Sequence, residues 1–336
     1  MSIEIVSVGS SSSGNSYIIM TGGRTLILDA GLPAKKIMAA LESLGTDPEE
    51  VDAVLITHEH IDHVRSIRAV SRKCSEAVVV ASRGTAEHTE NFRHVPEERL
   101  RLIKAGERIT LGRREGMSEY LEDCKDITIK AFALSHDAAE PLSYVISDGD
   151  ESIAAVTDSG VITDEIFEAV RDADQLVFEA NHDVDMLMFG EYPYPVKVRI
   201  KGDRGHLSND YAGDVLTRIL EYRCHYAQGD SSVATLPQND RVECHPERSE
   251  GSQGDSSVAT FPQNDKKPLR IMLAHLSFHN NMPLFARQTV EAALHDAGFT
   301  RGIDYTLEVA AKEGLTFMEP LNVEDGSLRP SGDISE

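Results

Sequence analysis

The sequence predicts an α/β (α+β) protein in which two β-sheets pack face to face and are covered by helices. Short apolar runs with strand character occur in sets in both halves of the chain, and helical patterns are interspersed between them. Each sheet has an apolar face that must be buried against another element, so two such sets of strands favour a layered sandwich.

The first half of the chain carries clear strand, turn and helix signals. Residues 17–20 and 25–28 flank Gly22-Gly23, a pattern typical of a β-hairpin. A helical pattern over 32–44 precedes Gly45, which is placed to end the helix. The other elements predicted here are strands at 2–8, 53–57 and 77–81, a helix at 64–74 and a helix that starts after Ser82.

The second half repeats this organisation. Strands are predicted at 127–134, 143–147, 153–157 and 175–179, with a helix at 163–171 between the last two. Further along, the predicted elements are a strand at 270–274, a helix at 283–297 and closing strands at 305–310 and 315–317. We therefore expect a single domain over 1–320, followed by a loosely held tail at 321–336.

Composition limits the class of protein. An apolar fraction of 40% over 336 residues is typical of a globular chain, and its apolar runs are far shorter than the roughly 20 residues that span a bilayer. The first residues lack the basic start and apolar core of a secretion signal, so we expect a cytoplasmic protein without a membrane association. The net charge of −23 argues against a broad electrostatic grip on nucleic acid, although a local basic patch could still provide one.

One segment interrupts the pattern of strands and helices. QGDSSVATLPQND at 228–240 returns as QGDSSVATFPQND at 253–265, with 12 of 13 positions identical. The repeat and the polar residues between its copies offer no face that could be buried. We interpret residues 225–268 as a duplicated low-complexity insertion that is a disordered loop.

The stretch THEHIDH at 57–63 follows the apolar run that ends at Ile56. His58 and His60 are two residues apart, so an extended backbone directs both side chains to the same side. Asp62 and His63 follow at the start of the next helical pattern and can be aimed at a neighbouring point. These four side chains could serve two adjacent metal positions.

Other metal-capable side chains follow later strands. His136, Asp158 and His275 each come at the carboxyl end of a predicted strand, where one edge of a sheet could collect them. The resulting five imidazoles and two carboxylates suit a pair of divalent ions such as Zn²⁺ or Mn²⁺.

This pattern resembles the metallo-β-lactamase superfamily over most of the chain. The resemblance implies a four-layer αββα sandwich with a two-metal site. It assigns His58, His60 and His136 to one ion, and Asp62, His63 and His275 to the other. Asp158 would bridge the ions, and Asp29 would support the ligands from behind. The strings SSSSGNS, SHDAAEP, EANHD, GHLSND and HLSFHNN further resemble the YycJ (WalJ) branch of this superfamily.

A two-metal site of this kind implies hydrolysis. Two ions polarise a substrate oxygen and lower the pKa of a bridging water, so that a hydroxide can attack an ester centre. Asp62 is our candidate for orienting that water or accepting its proton.

The substrate is indicated by residues outside the ligand set. Lys197, Arg199, Lys201 and Arg204 form a basic run that would bind an anion, or would otherwise be the polar face of a solvated strand. A helix is predicted to begin near Ser208, and free backbone N–H groups at a helix start favour phosphate.

Glu179 and His206 resemble the Glu and His of related tRNA 3′-processing endonucleases. By this likeness His206 would be a general acid, and Glu179 would keep it protonated by charge pairing. His182 is expected near the site as a substrate or supporting residue.

These features together predict a phosphodiesterase that acts on nucleic acid, with DNA more strongly indicated than RNA. The resemblance to the YycJ (WalJ) branch implies that the enzyme is an exonuclease. A hydrolase of small esters, thioesters, lactones or cyclic nucleotides on the same metal site is the alternative within enzymes. A regulatory binding protein that keeps metals for structure is the alternative from another class. The oligomeric state is left open.

Overall fold

The computed structural model describes residues 3–112, 125–227 and 267–318, together with the short segments 322–324 and 327–329. Most of the duplicated insertion therefore lies outside the described residues. So does most of the predicted tail, where the described part is an antiparallel pair of short strands at Asn322–Glu324 and Ser327–Arg329.

The first sheet is built mainly from the N-terminal half of the chain. Its strands are β1 (Glu4–Ser11), β2 (Gly14–Thr21), β3 (Arg24–Leu28), β4 (Val51–Leu55), β5 (Val78–Ala81) and β6 (Leu100–Leu102). The predicted β2–β3 hairpin is confirmed, and Gly22 and Gly23 both have positive φ, as this turn requires. Strands β3 to β6 run parallel, so their carboxyl ends meet at one edge.

The second sheet comes from the C-terminal half. Its strands are β7 (Arg108–Leu111), β8 (Ile127–Ala133), β9 (Leu142–Ser147), β10 (Ser152–Val156), β11 (Gln175–Glu179), β12 (Leu269–Ala274) and β13 (Tyr305–Val309). Strands β10 to β13 are parallel, and β8 runs in the same direction because β9 is antiparallel to both β8 and β10. A short strand β14 (Thr316–Phe317) returns to pair with β1 of the first sheet.

Helices cover the outer face of each sheet. The helices of the described residues are α1 (Ala34–Ser43), α2 (Ile61–Val64), α3 (Ile67–Lys73), α4 (Arg83–Glu87), α5 (Asp164–Val170), α6 (Val184–Phe189), α7 (Tyr194–Lys201), α8 (Asn209–Ala227) and α9 (Pro283–Asp296); α7 buries no residue and lies outside these layers. Several begin at a side chain that accepts a hydrogen bond from their first turn, such as Thr163 before α5 and Asp183 before α6.

Three apolar cores hold the layers together, one at each boundary between layers. Ile37 on α1 and Val70 on α3 pack on one face of the first sheet. The two sheets bury Ile19 and Tyr144 against each other. The other face of the second sheet is covered by side chains such as Leu216 of α8. The predicted αββα sandwich is therefore confirmed.

The structure corrects several local predictions. The helix predicted at 64–74 is observed as α3 over Ile67–Lys73, and the separate short helix α2 precedes it. The basic run is not a strand, because most of it lies in α7; Pro193 precedes this helix and Pro195 lies in its first turn. The helix α8 extends through Ala227, so the insertion begins after the predicted boundary at 225. Strands β6 and β7 and helix α6 were not predicted, because each is short and lacks a clear period.

Within the described ranges, no helix combines the length and the apolar character that a bilayer crossing needs.

Candidate metal centre

The candidate ligands lie where strands of both sheets end. His58 and His60 follow β4, His136 follows β8, Asp158 follows β10 and His275 follows β12. Among the described residues, the only non-glycine positions with positive φ are Asp29, Asp158 and His275, at φ of 60°, 60° and 56°. Each lies one or two residues beyond a strand, and this uncommon backbone conformation turns its side chain into the site.

The first group of ligands consists of three imidazoles. The rings of His58 and His60 are 4.6 Å apart, and each lies 5.0 Å from the ring of His136. His60 Nδ1 and His136 Nε2 face each other at 3.2 Å. These three residues could hold a metal ion.

The second group consists of Asp62, His63 and His275, which also could hold an ion. Asp62 Oδ2 lies 3.4 Å from His63 Nε2 and 3.5 Å from His275 Nε2. Asp62 is 17% exposed, whereas both imidazoles are buried. Solvent therefore reaches this group of candidate ligands at the Asp62 carboxylate.

Asp158 lies between the two groups. Its Oδ2 is 3.2 Å from His63 Nε2, and its Oδ1 is 3.5 Å from His275 Nε2 and 3.7 Å from His136 Nε2. The two oxygens of this buried carboxylate therefore face imidazoles of both groups.

The spacing of these atoms fits divalent ions. Tetrahedral nitrogen ligands about 2.0–2.1 Å from Zn²⁺ are about 3.3 Å from one another. The ligand atoms above are 3.2–3.7 Å apart. In addition, His58 Nε2 is buried without a hydrogen-bond partner. A buried imidazole nitrogen without a partner is costly, and a metal ion would satisfy it.

Side chains behind the imidazoles set their orientation. His63 Nδ1 donates to Asp29 Oδ2 at 2.7 Å, and the Thr57 hydroxyl also contacts Asp29 while lying 3.0 Å from His58 Nδ1. His136 Nδ1 donates to the carbonyl of Gly205 at 3.2 Å. In His58, His63 and His136, Nδ1 therefore contacts a supporting group of the protein, which leaves Nε2 to face the other candidate ligands.

The carboxylates determine the charge of the site. Burial lowers the pKa of His63 and His275, but Asp158 and the other nearby carboxylates outweigh it, raising the pKa of His63 well above its usual range and that of His275 to about 10. Burial raises the pKa of Asp62, but His63 and His275 outweigh this and hold it well below normal. His58 differs, because burial and the neighbouring His63 lower its pKa and favour a neutral ring.

Glu179 connects the cluster to His206. Its Oε1 accepts hydrogen bonds from the Nδ1 atoms of His206 and His275, both at 2.8 Å. Its Oε2 accepts one from the backbone N–H of Ser159 at 3.1 Å. Burial raises the pKa of Glu179, but the two imidazoles outweigh this and lower it, so the carboxylate is charged. His206 is 20% exposed and thus accessible from solvent.

His182 lies beside this pair in a buried position. Its Nδ1 has no hydrogen-bond partner, and burial lowers its pKa to about 4. The ring is therefore neutral at physiological pH.

Three of the four side chains of the basic run contact carbonyl or carboxylate groups of the protein. Lys197 donates to the carbonyls of Met188 and Gly190, and Arg199 pairs with Asp137 at 2.5 Å. Arg204 Nε donates to the carbonyl of His136 at 2.9 Å, so it holds the backbone of a candidate ligand. Lys201 is exposed.

The start of α8 is likewise partly occupied. Ser208 Oγ accepts from the N–H of Tyr211 at 3.2 Å, and the N–H of Asn209 donates to the carbonyl of His182. Ser208 therefore acts as a helix cap, and these two N–H groups are already bonded.

The structure also identifies a residue to which the sequence analysis assigned no role. Asn15 Nδ2 lies 3.4 Å from Asp62 Oδ2 and 3.2 Å from His63 Nε2. Its amide oxygen accepts from the hydroxyl of Ser10 and the N–H of Ser11. The SSSSGNS string thus places an amide against the second ligand group, and the string itself was the signal that could have indicated it.

Known proteins with similar sequences identify the class and the family of this chain. A profile described as a β-lactamase superfamily domain matches residues 24–224. Together with the αββα fold and the histidine-rich cluster, this match defines a metal-dependent hydrolase. The chain belongs to the metallo-β-lactamase superfamily.

Two of its curated relatives are named exodeoxyribonucleases. WalJ of Streptococcus pneumoniae is 36% identical over 219 residues, which cover 64% of this chain and 76% of the relative. YycJ of Bacillus anthracis is 28% identical over 303 residues, which cover 90% and 93%. These alignments place the chain in the YycJ/WalJ-like branch.

Solved structures confirm the fold. The metallo-β-lactamase fold protein YhfI of Bacillus subtilis has a TM-score of 0.57 at 14% identity, covering 94% of this chain and 99% of that one. Zn²⁺-bound PqqB of Methylobacterium extorquens has a TM-score of 0.52 at 15% identity, covering 93% and 99%.

Proposed function

We propose that the protein is a cytoplasmic DNA exonuclease that hydrolyses phosphodiesters at a site for two divalent ions. The observation that carries this proposal is the pair of hydrogen bonds that joins His206, through Glu179, to the candidate ligand His275. A partly exposed imidazole beside a metal-binding cluster is suited to the protonation of a leaving oxygen. The names of the WalJ and YycJ relatives support DNA as the substrate.

In this proposal, His58, His60 and His136 would hold one ion, Asp62, His63 and His275 would hold the other, and Asp158 would be a ligand shared by both. When bound, the ions make water acidic enough to attack at neutral pH and offset the charge of the phosphate.

The protein side chains then control the protons. Asp62 is partly exposed and faces the cluster, so it is our candidate for orienting the attacking water and accepting its proton. We infer that His206 gives its Nε2 proton to the leaving oxygen, while Glu179 accepts a hydrogen bond from Nδ1 and holds the ring in position. Asp29 keeps the ring of His63 in position. His182 remains a candidate for substrate contact through its neutral ring.

The test compares ligand variants with a matched control. His60→Ala and Asp62→Ala should each abolish degradation of end-labelled DNA while circular dichroism shows an intact fold. His295→Ala removes an imidazole that is 85% exposed and should retain full activity. Single- and double-stranded DNA and RNA, each assayed with Zn²⁺ and with Mn²⁺, would identify the preferred substrate and metal. Undiminished cleavage by either ligand variant would contradict the proposal.

A hydrolase of small esters, thioesters, lactones or cyclic nucleotides is the second candidate. It is favoured by the net charge of −23 and by the engagement of Lys197, Arg199 and Arg204 with protein groups. Turnover of such esters by metal-loaded protein that leaves DNA intact would establish it instead.

A further inference from the structure

An unusual concentration of exposed apolar side chains lies beside the candidate metal centre. Of the fourteen large apolar residues that are exposed in the described part of the chain, nine fall within residues 188–198 and 278–285. The most exposed are aromatic: Phe189 at 87%, Tyr194 at 70% and Phe278 at 63%. Burying such groups against a partner is favourable, and a cluster of them marks a binding surface.

These two segments are neighbours in space. The N–H of Asp183, which caps α6, donates to the carbonyl of Asn280 at 2.9 Å. The rings of Tyr192 and His279 are 5.7 Å apart, and those of His279 and Phe278 are 5.1 Å apart. We call Phe189, Tyr192, Tyr194, Phe278 and His279 the aromatic strip.

The aromatic strip adjoins the chain segments that carry His275, Glu179 and His206. Phe278 follows the candidate ligand His275 by three residues, and the N–H of Ser277 donates to the carbonyl of Asn181, just beyond Glu179. On the other side, α7 is tied to the cluster because the N–H of His206 donates to the carbonyl of Ile200. A polymer held at the cluster would therefore extend across the strip.

The charges around the strip are mixed. Lys312 Nζ lies 3.6 Å from the centre of the Phe278 ring, and Lys197 Nζ donates to the carbonyls of Met188 and Gly190. Asp185 is exposed in α6, and Glu191 lies beside Tyr192, so phosphate attraction would be opposed locally. Exposed aromatic rings can stack on bases of any sequence, and the mixed charges here favour contact with the bases over contact with the phosphate backbone.

We propose that the aromatic strip is a stacking platform for unpaired bases of the strand that is cleaved. This inference rests on the proposed DNA exonuclease function, and it specifies that function further: the substrate would be a single-stranded or opened DNA end. Stacking needs the open face of a base, and within a duplex that face is covered by the neighbouring base pairs.

The experiment measures binding of fluorescent oligothymidylate to the full-length metal-free chain by fluorescence anisotropy. An abasic strand with the same phosphates, and a blunt duplex, are the comparison ligands. We expect the abasic strand and the duplex to bind at least about tenfold more weakly than oligothymidylate. A 2-aminopurine base in the strand should be quenched on binding.

The variant Phe189→Ala/Phe278→Ala should weaken oligothymidylate binding by about tenfold or more. Phe317→Ala is the matched control, because Phe317 is 51% exposed but lies on β14, outside the strip, and it should bind like the unaltered chain. Equal binding of abasic and base-bearing strands would overturn the platform. So would a strip variant that only converts a dimer to a monomer in sedimentation, since a second copy would then be the occupant.

Failure of this inference is distinguishable from failure of the proposed function. If metal-loaded protein leaves all DNA intact, the exonuclease proposal fails, whatever the strip binds. If it degrades DNA while the strip variant binds and degrades oligothymidylate normally, only the platform fails.

Discussion

Glu179 Oε1 lies 2.8 Å from Nδ1 of His206, and the same oxygen is 2.8 Å from Nδ1 of the candidate metal ligand His275. One buried carboxylate therefore orients both a partly exposed imidazole and a candidate ligand of the second group. In the proposed mechanism, this shared contact makes metal binding by His275 and proton transfer by His206 depend on a single side chain.

The substitution Glu179→Gln should lower both metal affinity and the rate of hydrolysis, each by about ten- to a hundredfold. The amide oxygen is uncharged, so it holds both imidazoles less firmly. By contrast, His206→Gln should lower kcat by about a hundredfold or more and leave the metal content unchanged. Metal analysis and steady-state kinetics check both variants, and unchanged metal affinity in Glu179→Gln would refute the coupling.

The substitution Gly31→Ala should disrupt the metal centre. A Cβ at Gly31 would lie 1.5 Å from the backbone oxygen of Asp62, so the segment that carries Asp62 and His63 would have to move. We expect a loss of about 2 kcal/mol or more in unfolding free energy, together with loss of metal binding. Gly112→Ala is the control, since the nearest atom to its Cβ would be Asp126 Oδ1 at 3.9 Å. Comparable melting temperatures for the two variants would argue against this packing.

Metal binding at neutral pH should release protons. In the metal-free protein the pKa of His275 is raised to about 10 and that of His63 is also raised, so both rings are protonated at pH 7. Each must free its Nε2 to bind an ion, and metal affinity should therefore increase with pH. Calorimetric titration in two buffers of different ionisation enthalpy measures the number of protons released. Identical heats in the two buffers would contradict the expected charge state.

The same shift predicts how the stability of the metal-free protein depends on pH. The folded pKa of His275 lies above its ordinary value of 6.5, so its stabilising charge is fully present below pH 6.5 and is lost as the pH rises to about 10. Thermal unfolding in the presence of a chelator should show a lower Tm at pH 9 than at pH 7 from this group, and His275→Gln should reduce the difference.

Deletion of residues 228–265 should leave activity unchanged and shift the Tm by no more than about 3 °C. The flanking elements are anchored without the insertion, because Leu216 and Ile219 of α8 and Ile271 of β12 are buried in one core. The insertion follows the far end of α8, whose 19 residues span about 28 Å from the His206 end. Differential scanning calorimetry and the DNA assay check this, and a large loss in either would assign the insertion a structural or functional role.

The sequence alone determined the layered fold and the composition of the candidate cluster. The apolar runs predicted all four strands that precede candidate ligands, β4, β8, β10 and β12, and parallel strands of one sheet bring their carboxyl ends to the same edge. The family resemblance therefore assigned THEHIDH, His136, Asp158 and His275 to one site, and the packing of the two sheets brings them within a few ångströms of each other.

Only the tertiary structure decided which groups the remaining polar side chains contact. Lys197 and Arg204 bond to backbone carbonyls rather than facing outward, and Asn15 reaches Asp62 across 47 positions of chain. The aromatic strip likewise depends on the docking of residues 188–198 beside 278–285. Strand and helix patterns are local properties of the chain. Contacts between distant segments depend on how the layers pack, and that packing is set by many residues together.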